Sequence, residues 1–346
     1  MRGIAGVFER SWSGEPGTVA WTRLLHSAAL VYAAGSAAAR RRAAGSRRSL
    51  SGTHVVAVGN LTVGGTGKST LARWLAMEAL KAGSPSAVIL RGYGASAPVS
   101  GVVPDFAGYP LEDRLQSYGD EAIAHRRALP RGVSVAVDRD RMRAARATRD
   151  GYGARVLILD DGWEQSTLRW NALWVVLDPK RPEGNGSLLP AGPLRRPVST
   201  LREATVLAFI LEEPGEEVPA ETSRWADRVA PGVPRLRFLR THLETPRRGD
   251  EVGLISGVGS PARLTRFVRA SGADVKSHAA FRDHARWRGP ELLAAVERAR
   301  TAGAGSVWIT EKDEPRWPRE LRPSLPVRVI RTGLEPLDPV NAELVR

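Results

Sequence analysis

The chain has no cysteine in its 346 residues. That excludes disulfides, thiolate-bound zinc and thiol nucleophiles, and it fits a reducing compartment. Lysine is nearly as scarce. Lys68, Lys81, Lys180, Lys276 and Lys312 stand among 51 basic residues, and the others are arginine. Beside abundant alanine and glycine, such a skew reads as a coding bias, so arginine counts carry little functional weight and the few lysines carry more. The net charge of +14 would by itself suit nucleic acid or an anionic membrane surface. A helicase-type motif series, an RNP motif and zinc-finger spacing are all missing, however.

Long apolar runs are lacking too. The most apolar stretch, 19–39, is interrupted by Arg23 and His26 and followed by Arg40-Arg41-Arg42. It falls short of the roughly 20 uninterrupted apolar residues of a membrane span, and its basic residues follow the run instead of preceding it as in a secretory signal. An interfacial helix fits better, with Trp21 and Tyr32 at headgroup depth and the 40–48 arginine cluster against anionic lipid. An amphipathic helix packed on the domain is the alternative. Acidic residues are also rare here: the first fifty residues contain no Asp and two Glu.

What is present is concentrated first at residues 55–70. The β-branched run Val55-Val56-Ala57-Val58 feeds a turn rich in glycine, Thr62-Val63-Gly64-Gly65-Thr66-Gly67, which opens through Lys68-Ser69-Thr70 into a helix-forming stretch. Strand, glycine-rich loop and helix in that order make a phosphate-binding P-loop. The glycines let successive N–H groups converge on phosphate oxygens, and the helix start adds its positive dipole end. Lys68 is expected to reach the β- and γ-phosphates and Ser69 to take a place on Mg²⁺. Thr62 stands where the general motif begins with glycine.

From residue 54 onward the pattern is α/β. Strands are expected at 54–58, 87–90, 133–137, 156–159 and 173–177, then at 205–211, 252–256, 306–310 and 327–330, with helical patterns between most of them. A P-loop domain with a mainly parallel sheet follows, plus a second, smaller α/β domain. The boundaries expected are an N-terminal membrane-associated segment at 1–48, the P-loop domain at 49–203 and the second domain at 204–346. Ligands of such sheets bind beyond the carboxyl ends of strands, where most of the motifs sit.

Val156-Leu157-Ile158-Leu159-Asp160-Asp161-Gly162 is a buried-strand pattern ending in two carboxylates, the arrangement that holds Mg²⁺ beside a P-loop. Gly119-Asp120-Glu121 opens a helical stretch and offers a further metal ligand plus a base or orienter for an acceptor hydroxyl; acids in a first helical turn also occur simply as dipole partners. Arg91-Gly92-Tyr93-Gly94 follows a strand and offers Arg91 and Tyr93 to an anionic substrate group. Arg139-Asp140-Arg141 closes another strand. Phe281-Arg282-Asp283-His284 lies beyond the second domain's first helix. Thr310-Glu311-Lys312-Asp313 lacks the spacing of a guanine-reading N-K-x-D, so the nucleotide is read as ATP.

Taken in order, these stretches resemble tetraacyldisaccharide 4′-kinase, the lipid A 4′-kinase family of Gram-negative bacteria. The resemblance is carried by 58–68, Arg91-Gly92-Tyr93-Gly94, Gly119-Asp120-Glu121, Arg139-Asp140-Arg141 and Asp160-Asp161-Gly162. It continues through Gly184-Asn185-Gly186, Leu188-Leu189-Pro190-Ala191-Gly192-Pro193-Leu194-Arg195, Gly257-Val258-Gly259-Ser260-Pro261, Asp283-His284 and Thr310-Glu311-Lys312-Asp313. Trp12-Ser13-Gly14-Glu15 also matches, and the family's own P-loop has threonine at the position of Thr62.

The resemblance implies ATP- and Mg²⁺-dependent phosphorylation of the 4′-hydroxyl of a tetraacyl glucosamine disaccharide 1-phosphate, giving lipid IVA. It implies docking on the cytoplasmic face of the inner membrane, peripherally or by a single N-terminal anchor. Its partners would be the lipid-linked substrate and the membrane, with no nucleic acid and no obligate protein partner. For the residues, it implies a catalytic Asp120–His284 pair, Lys68 on the phosphates, Glu121 with Ser69, Asp160 and Asp161 on the metal, and Arg195 with Arg91 and Tyr93 at the substrate. Two departures flank the expected site. Trp163-Glu164-Gln165 replaces an apolar residue followed by Gln-His, and Arg196 replaces a glutamate. A diverged kinase of another lipid-linked sugar and a basic P-loop ATPase that binds nucleic acid are the alternatives.

Overall fold

The computed structural model describes residues 19–92, 100–104, 117–165, 167–258, 261–281, 287–318 and 320–341. In chain order its elements are α1 Val19–Ser46, β1 His54–Asn60, α2 Lys68–Lys81, β2 Ser86–Leu90, β3 Gly101–Val102, α3 Asp120–Ala128, β4 Val133–Val137, α4 Arg141–Tyr152, β5 Val156–Leu159, β6 Ala172–Leu177, β7 Val206–Leu211, α5 Ala220–Val229, β8 Arg235–Glu244, β9 Glu251–Ser256, α6 Pro261–Ala270, β10 Asp274–Ala280, α7 Gly289–Thr301, β11 Ser306–Thr310 and β12 Val327–Pro336. The strands expected from sequence are all there, most with ends within a residue or two. Strands β8 and β10 and the short β3 were not expected.

Two compact units result, and they interleave. The first comprises 1–90, 140–240 and 334–346, the second 91–139 and 241–333. A single cut near 203 does not describe this division: it falls inside the first unit, because strands β5 to β7 all build the sheet that contains β1.

In the first unit the strand order is β8-β7-β6-β1-β5-β2, parallel throughout. The reason is visible in the strands themselves. Val55, Val56, Ala57 and Val58 of β1 are at most 1% exposed, as are Leu157, Ile158 and Leu159 of β5, so both sheet faces are covered. The chain leaves β1 toward β5 and β2 and later returns to β6 on the other side. Such a reversal, at the carboxyl end of β1, is where α/β sheets bind ligands. On one face Trp74 of α2 packs edge-on to Phe238, ring centroids 5.0 Å apart, with Trp174 alongside.

The second unit has the parallel order β10-β9-β11-β12. Ile255, Leu292, Val296, Val307 and Ile309 fill one core cluster, while Val252, Leu254, Val268, Trp308 and Ile330 fill another. The short strand β3 pairs antiparallel with β4, whose five residues are all buried. The run beginning at Phe281 lies beyond helix α6, as expected, and follows strand β10 directly, because 274–280 is extended beside β9.

Helix α1 belongs to the first unit. Tyr32 donates its hydroxyl to the Arg195 carbonyl at 3.1 Å, and just beyond the helix Arg47 lies 3.7 Å from the Trp170 ring centroid. Leu30 and Val31 stay 73% and 74% exposed. Among the described residues no helix is long and apolar enough to cross a membrane.

Candidate active site

The turn after β1 is held from the side by the 187–195 loop. Val63 N–H donates to the Pro193 carbonyl at 2.8 Å, Arg195 N–H donates to the Leu61 carbonyl at 2.9 Å, and Thr62 forms an antiparallel bridge with Leu194. Thr62 is therefore extended and paired, a conformation in which a β-branched residue is at home, and glycine is not required there. Glycine is required later. Gly64 has φ 118° and Gly67 φ 95°, and a Cβ on Gly67 would lie 2.5 Å from Ile210 Cδ1 and 3.1 Å from Arg240 Nη2. Gly65 and Thr66 complete the turn, with Thr66 N–H donating to the Gly64 carbonyl at 3.2 Å. Helix α2 then starts at Lys68 with Gly67 at its N-cap, so the first-turn amides of Lys68, Ser69 and Thr70 face a terminus with no capping side chain. Such a terminus is a ready anion site.

Lys68 bends back toward the strand ends. Its Nζ donates to Asn60 Oδ1 at 2.9 Å and stands 3.9 Å from Asp161 Oδ1. Arg195 reaches the same two groups. It grips the Asp161 carboxylate with two nitrogens, at 2.8 and 3.2 Å, and donates to Asn60 Oδ1 at 3.2 Å. Burial alone would lower the Arg195 pKa, but the hydrogen bond and charge of Asp161 outweigh it and the pKa is raised. Asn60 is thus shared by both cations. It is 2% exposed, and its own amide donates to the Thr62 carbonyl. It had not been singled out from the sequence, because only the fold brings Arg195 to it.

Asp160 is 5% exposed at the end of β5, its N–H bonded to the Ile89 carbonyl. Asp161 follows with φ 51°, the one positive-φ residue besides glycine among the described residues. Gly162 permits this turn to lie on β1: a Cβ there would meet Leu159 Cβ at 2.4 Å and Ala57 Cβ at 3.2 Å. Trp163, 1% exposed, packs against Gly59.

The two departures from the family pattern touch each other. Arg196 is 2% exposed, and its guanidinium pairs with Glu164, donates to the Trp163 carbonyl at 2.8 Å and lies 4.4 Å from the Trp163 ring centroid. Glu203 is 3.6 Å away on the other side and accepts from the Trp163 indole at 3.2 Å. A base at 196 and an acid at 164 are therefore complementary. Burial first, and then the Arg196 charge, lower the Arg47 pKa to about 10.

In the second unit, Arg91 is exposed just after β2. Gly92 has φ 80° and fits close under Val137. Asp120 begins α3 and is 7% exposed, its Oδ1 accepting from Glu121 N–H at 3.0 Å. Its Oδ2 accepts from Arg316, a partner the sequence did not suggest. Asp140 caps α4 through Met142 N–H. Tyr93 and His284 lie outside the described residues. The first unit thus gathers Thr62, Gly64, Gly65, Thr66, Gly67, Lys68, Ser69, Thr70, Asp160, Asp161 and Arg195, and the second holds Arg91, Asp120 and Glu121.

Residues 21–343 match the family described as tetraacyldisaccharide-1-P 4′-kinase. A tetraacyldisaccharide 4′-kinase of Anaeromyxobacter sp. (strain K) is 35% identical over all of this chain and 93% of its own length. That of Rhodospirillum centenum is 33% identical over 96% of this chain and 95% of its own. In structure the chain is similar to LpxK from Aquifex aeolicus, solved in complex with ATP. The TM-score is 0.69 at 22% identity, covering 91% of this chain and 95% of that one, which establishes the same fold. With the family match spanning nearly the whole sequence, the chain belongs to the tetraacyldisaccharide 4′-kinase family.

Proposed function

We propose that this chain transfers the γ-phosphoryl group of ATP to the 4′-hydroxyl of a tetraacyl glucosamine disaccharide 1-phosphate, giving lipid IVA. The observation that carries the reading is the P-loop itself: an open helix terminus at Gly67 with Lys68 poised among Asn60, Asp161 and the strand ends. The names of the relatives supply the acceptor, and the ATP of the Aquifex aeolicus structure supports the donor.

Phosphoryl transfer asks the protein mainly to position groups and neutralise charge. Lys68 leaves Asn60 and Asp161 for the β- and γ-phosphates, and the amides of Lys68, Ser69 and Thr70 hold the phosphate oxygens. The oxygen donors fit Mg²⁺, a hard cation that takes one or two carboxylates with substrate phosphates. Ser69 and the buried Asp160 would hold it, with Asp161 and Glu121 as further carboxylates; bound there, Mg²⁺ neutralises charge on the phosphates. Arg195 fixes the Asp161 carboxylate, and its guanidinium would also serve an anionic group of the substrate. Asp120 accepts the proton of the sugar hydroxyl, with His284 holding and tuning that carboxylate. Arg91 and Tyr93 serve the anionic end of the acceptor.

The enzyme works at the cytoplasmic face of the inner membrane. Exposed Leu30 and Val31 on α1, with Arg40, Arg41 and Arg42 further along the same helix, support peripheral attachment. Several of the remaining arginines are engaged with partners within the fold, as with Arg47, Arg195 and Arg196, which weakens any case for a nucleic-acid surface. The test is incubation with ATP, Mg²⁺ and the tetraacyl disaccharide 1-phosphate, with the product read by mass. A gain of one phosphate is expected, falling by about 10²–10³ in rate for folded Lys68→Ala, the usual loss for one transition-state contact. No product, or an undiminished Lys68→Ala, would overturn the reading.

A further inference from the structure

Thr310-Glu311-Lys312-Asp313, at the end of β11, has no task in the nucleotide site as described. Its Asp313 is 0% exposed, and a buried carboxylate is tolerated only with partners. The partners are local and specific. Thr310 donates its hydroxyl to Asp313 Oδ2 at 2.7 Å, and Gly257 N–H donates to Oδ1 at 3.1 Å. Three residues on, the short 3₁₀ turn Glu314–Arg316 brings the Arg316 guanidinium to 3.8 Å from Asp313 Oδ1.

Arg316, 7% exposed, uses its other terminal nitrogen on Asp120 Oδ2. Asp120 Oδ1 is meanwhile taken by Glu121 N–H. Both oxygens of the carboxylate are therefore fixed, one by the backbone of its own helix and one by a guanidinium that a second buried carboxylate faces. Helix α3 is tied to the same turn again further along. Arg127, two helical turns after Asp120, stands 3.6 Å from Glu314, which Arg331 also holds at 3.1 Å. All of these residues belong to the second unit.

We propose that Arg316, anchored on Asp313, is the positioning residue for the Asp120 carboxylate in the transfer reaction. A contact on each oxygen fixes the plane of the carboxylate, and so the direction in which it meets the acceptor hydroxyl. A general base displaced by about 1 Å loses roughly 10² in rate, so a rigid guanidinium fork at this place acts on turnover and not on nucleotide affinity. The proposal rests on the reading of Asp120 as the group that takes the hydroxyl proton.

The experiment measures kcat and the KM for ATP separately in full-length Arg316→Gln, Arg316→Lys, Asp120→Ala and Asp120→Ala/Arg316→Gln, with thermal melting as a check of folding. Arg316→Gln should lower kcat about 10²-fold with the KM for ATP within about twofold. Arg316→Lys, which keeps a charge but not the fork, should recover part of that loss. In the Asp120→Ala background, Arg316→Gln should cost less than about twofold more, since the group it positions is already gone. Losses that multiply, or a folded Arg316→Gln with normal kcat, would overturn the proposal. If Arg316→Gln does not fold, Arg316→Lys decides: full kcat in that variant overturns it, and a reduced kcat with an unchanged KM for ATP supports it. Normal turnover in Asp120→Ala would instead overturn the reading of Asp120, and this proposal with it.

Discussion

Arg196→Met and Glu164→Ala cut the same buried ion pair from opposite ends, and they should not cost the same. The Arg196 side chain is 2% exposed, whereas those of Glu164 and Glu203 are 35% and 48% exposed. When arginine goes, both acids can turn to water. What is lost is a charge-assisted bond to the Trp163 carbonyl and the contact over the Trp163 ring, about 1.5–3 and about 1–2 kcal/mol in gross terms. Against this, methionine covers the indole with a stem of similar reach, and no guanidinium has to be desolvated. A net cost of about 1–2 kcal/mol remains. When Glu164 goes, the guanidinium stays buried with Glu203 at 3.6 Å as the remaining acid of this cluster. Breaking a buried pair in that way costs about 3–5 kcal/mol, and Glu203 with the indole holds it to about 3. For units of this size each kcal/mol lowers Tm by about 2–4 °C. Scanning fluorimetry should therefore show losses of about 2–8 °C for Arg196→Met and about 6–12 °C for Glu164→Ala. The double variant should melt above Glu164→Ala, because it no longer buries a poorly paired charge. A double variant that melts lowest, or Arg196→Met as the worse single change, would refute the assignment of the burial penalty to the guanidinium.

Three further outcomes follow from the geometry. Gly67→Ala places a side chain at φ 95°, about 1–2 kcal/mol of backbone strain, with its Cβ against Ile210; calorimetric titration with ATP should show weakened binding, and an unchanged affinity would count against the turn as the phosphate cradle. His278 sits between the Ser256 and Thr265 hydroxyls, and burial lowers its pKa below the ordinary 6.5. The unfolded chain then binds more protons, so stability is full above about pH 6.5 and falls as pH drops toward the folded value; urea midpoints at pH 7.5 and 5.5 should differ less in His278→Gln than in the parent, and an equal difference would show the titration to lie elsewhere. Leu30→Glu/Val31→Glu alters two side chains that are 73% and 74% exposed, so melting should hold while co-sedimentation with anionic vesicles falls; undiminished sedimentation would place the lipid contact off this face.

How much of this was readable in advance depends on how far apart the partners are in sequence. The P-loop and the acid-tipped strand β5 are local patterns, each complete within about ten residues, and their strand-loop-helix grammar shows directly. Strand β8 escaped because its alternation puts arginine between apolar residues: Leu236 and Phe238 are buried, while Arg235 and Arg237 face outward. Arg237 is stabilised there by Asp338, 101 residues later. Strand β10 has few apolar residues because it pairs on one side with β9, and Lys276 bridges Glu251 and Asp274 at its surface. The interleaving of the two units was likewise out of reach, since nothing in composition marks 91–139 as belonging with 241–333.

Arginine shows where composition stops being informative. As a total it reflects coding bias, and discounting it guards against reading +14 as a nucleic-acid surface. As individuals the arginines divide by what they face. Arg195 and Arg196 are neighbours in the chain, yet one grips Asp161 beside the P-loop while the other lies under the same turn, holding Trp163 and Glu164. The turn between β5 and β6, with its positive-φ Asp161, is thus clamped from two sides by consecutive residues of one loop. That loop is itself ordered by Asn185, which donates to the Ala191 carbonyl, and by Gly192, where a Cβ would come within 2.3 Å of the Ser187 carbonyl oxygen. The glycine and asparagine of 184–192 therefore act on the carboxylate at 161 through the two arginines that follow. A run that looks like irregular coil in sequence is the part that sets the geometry of the acid beside the phosphate loop.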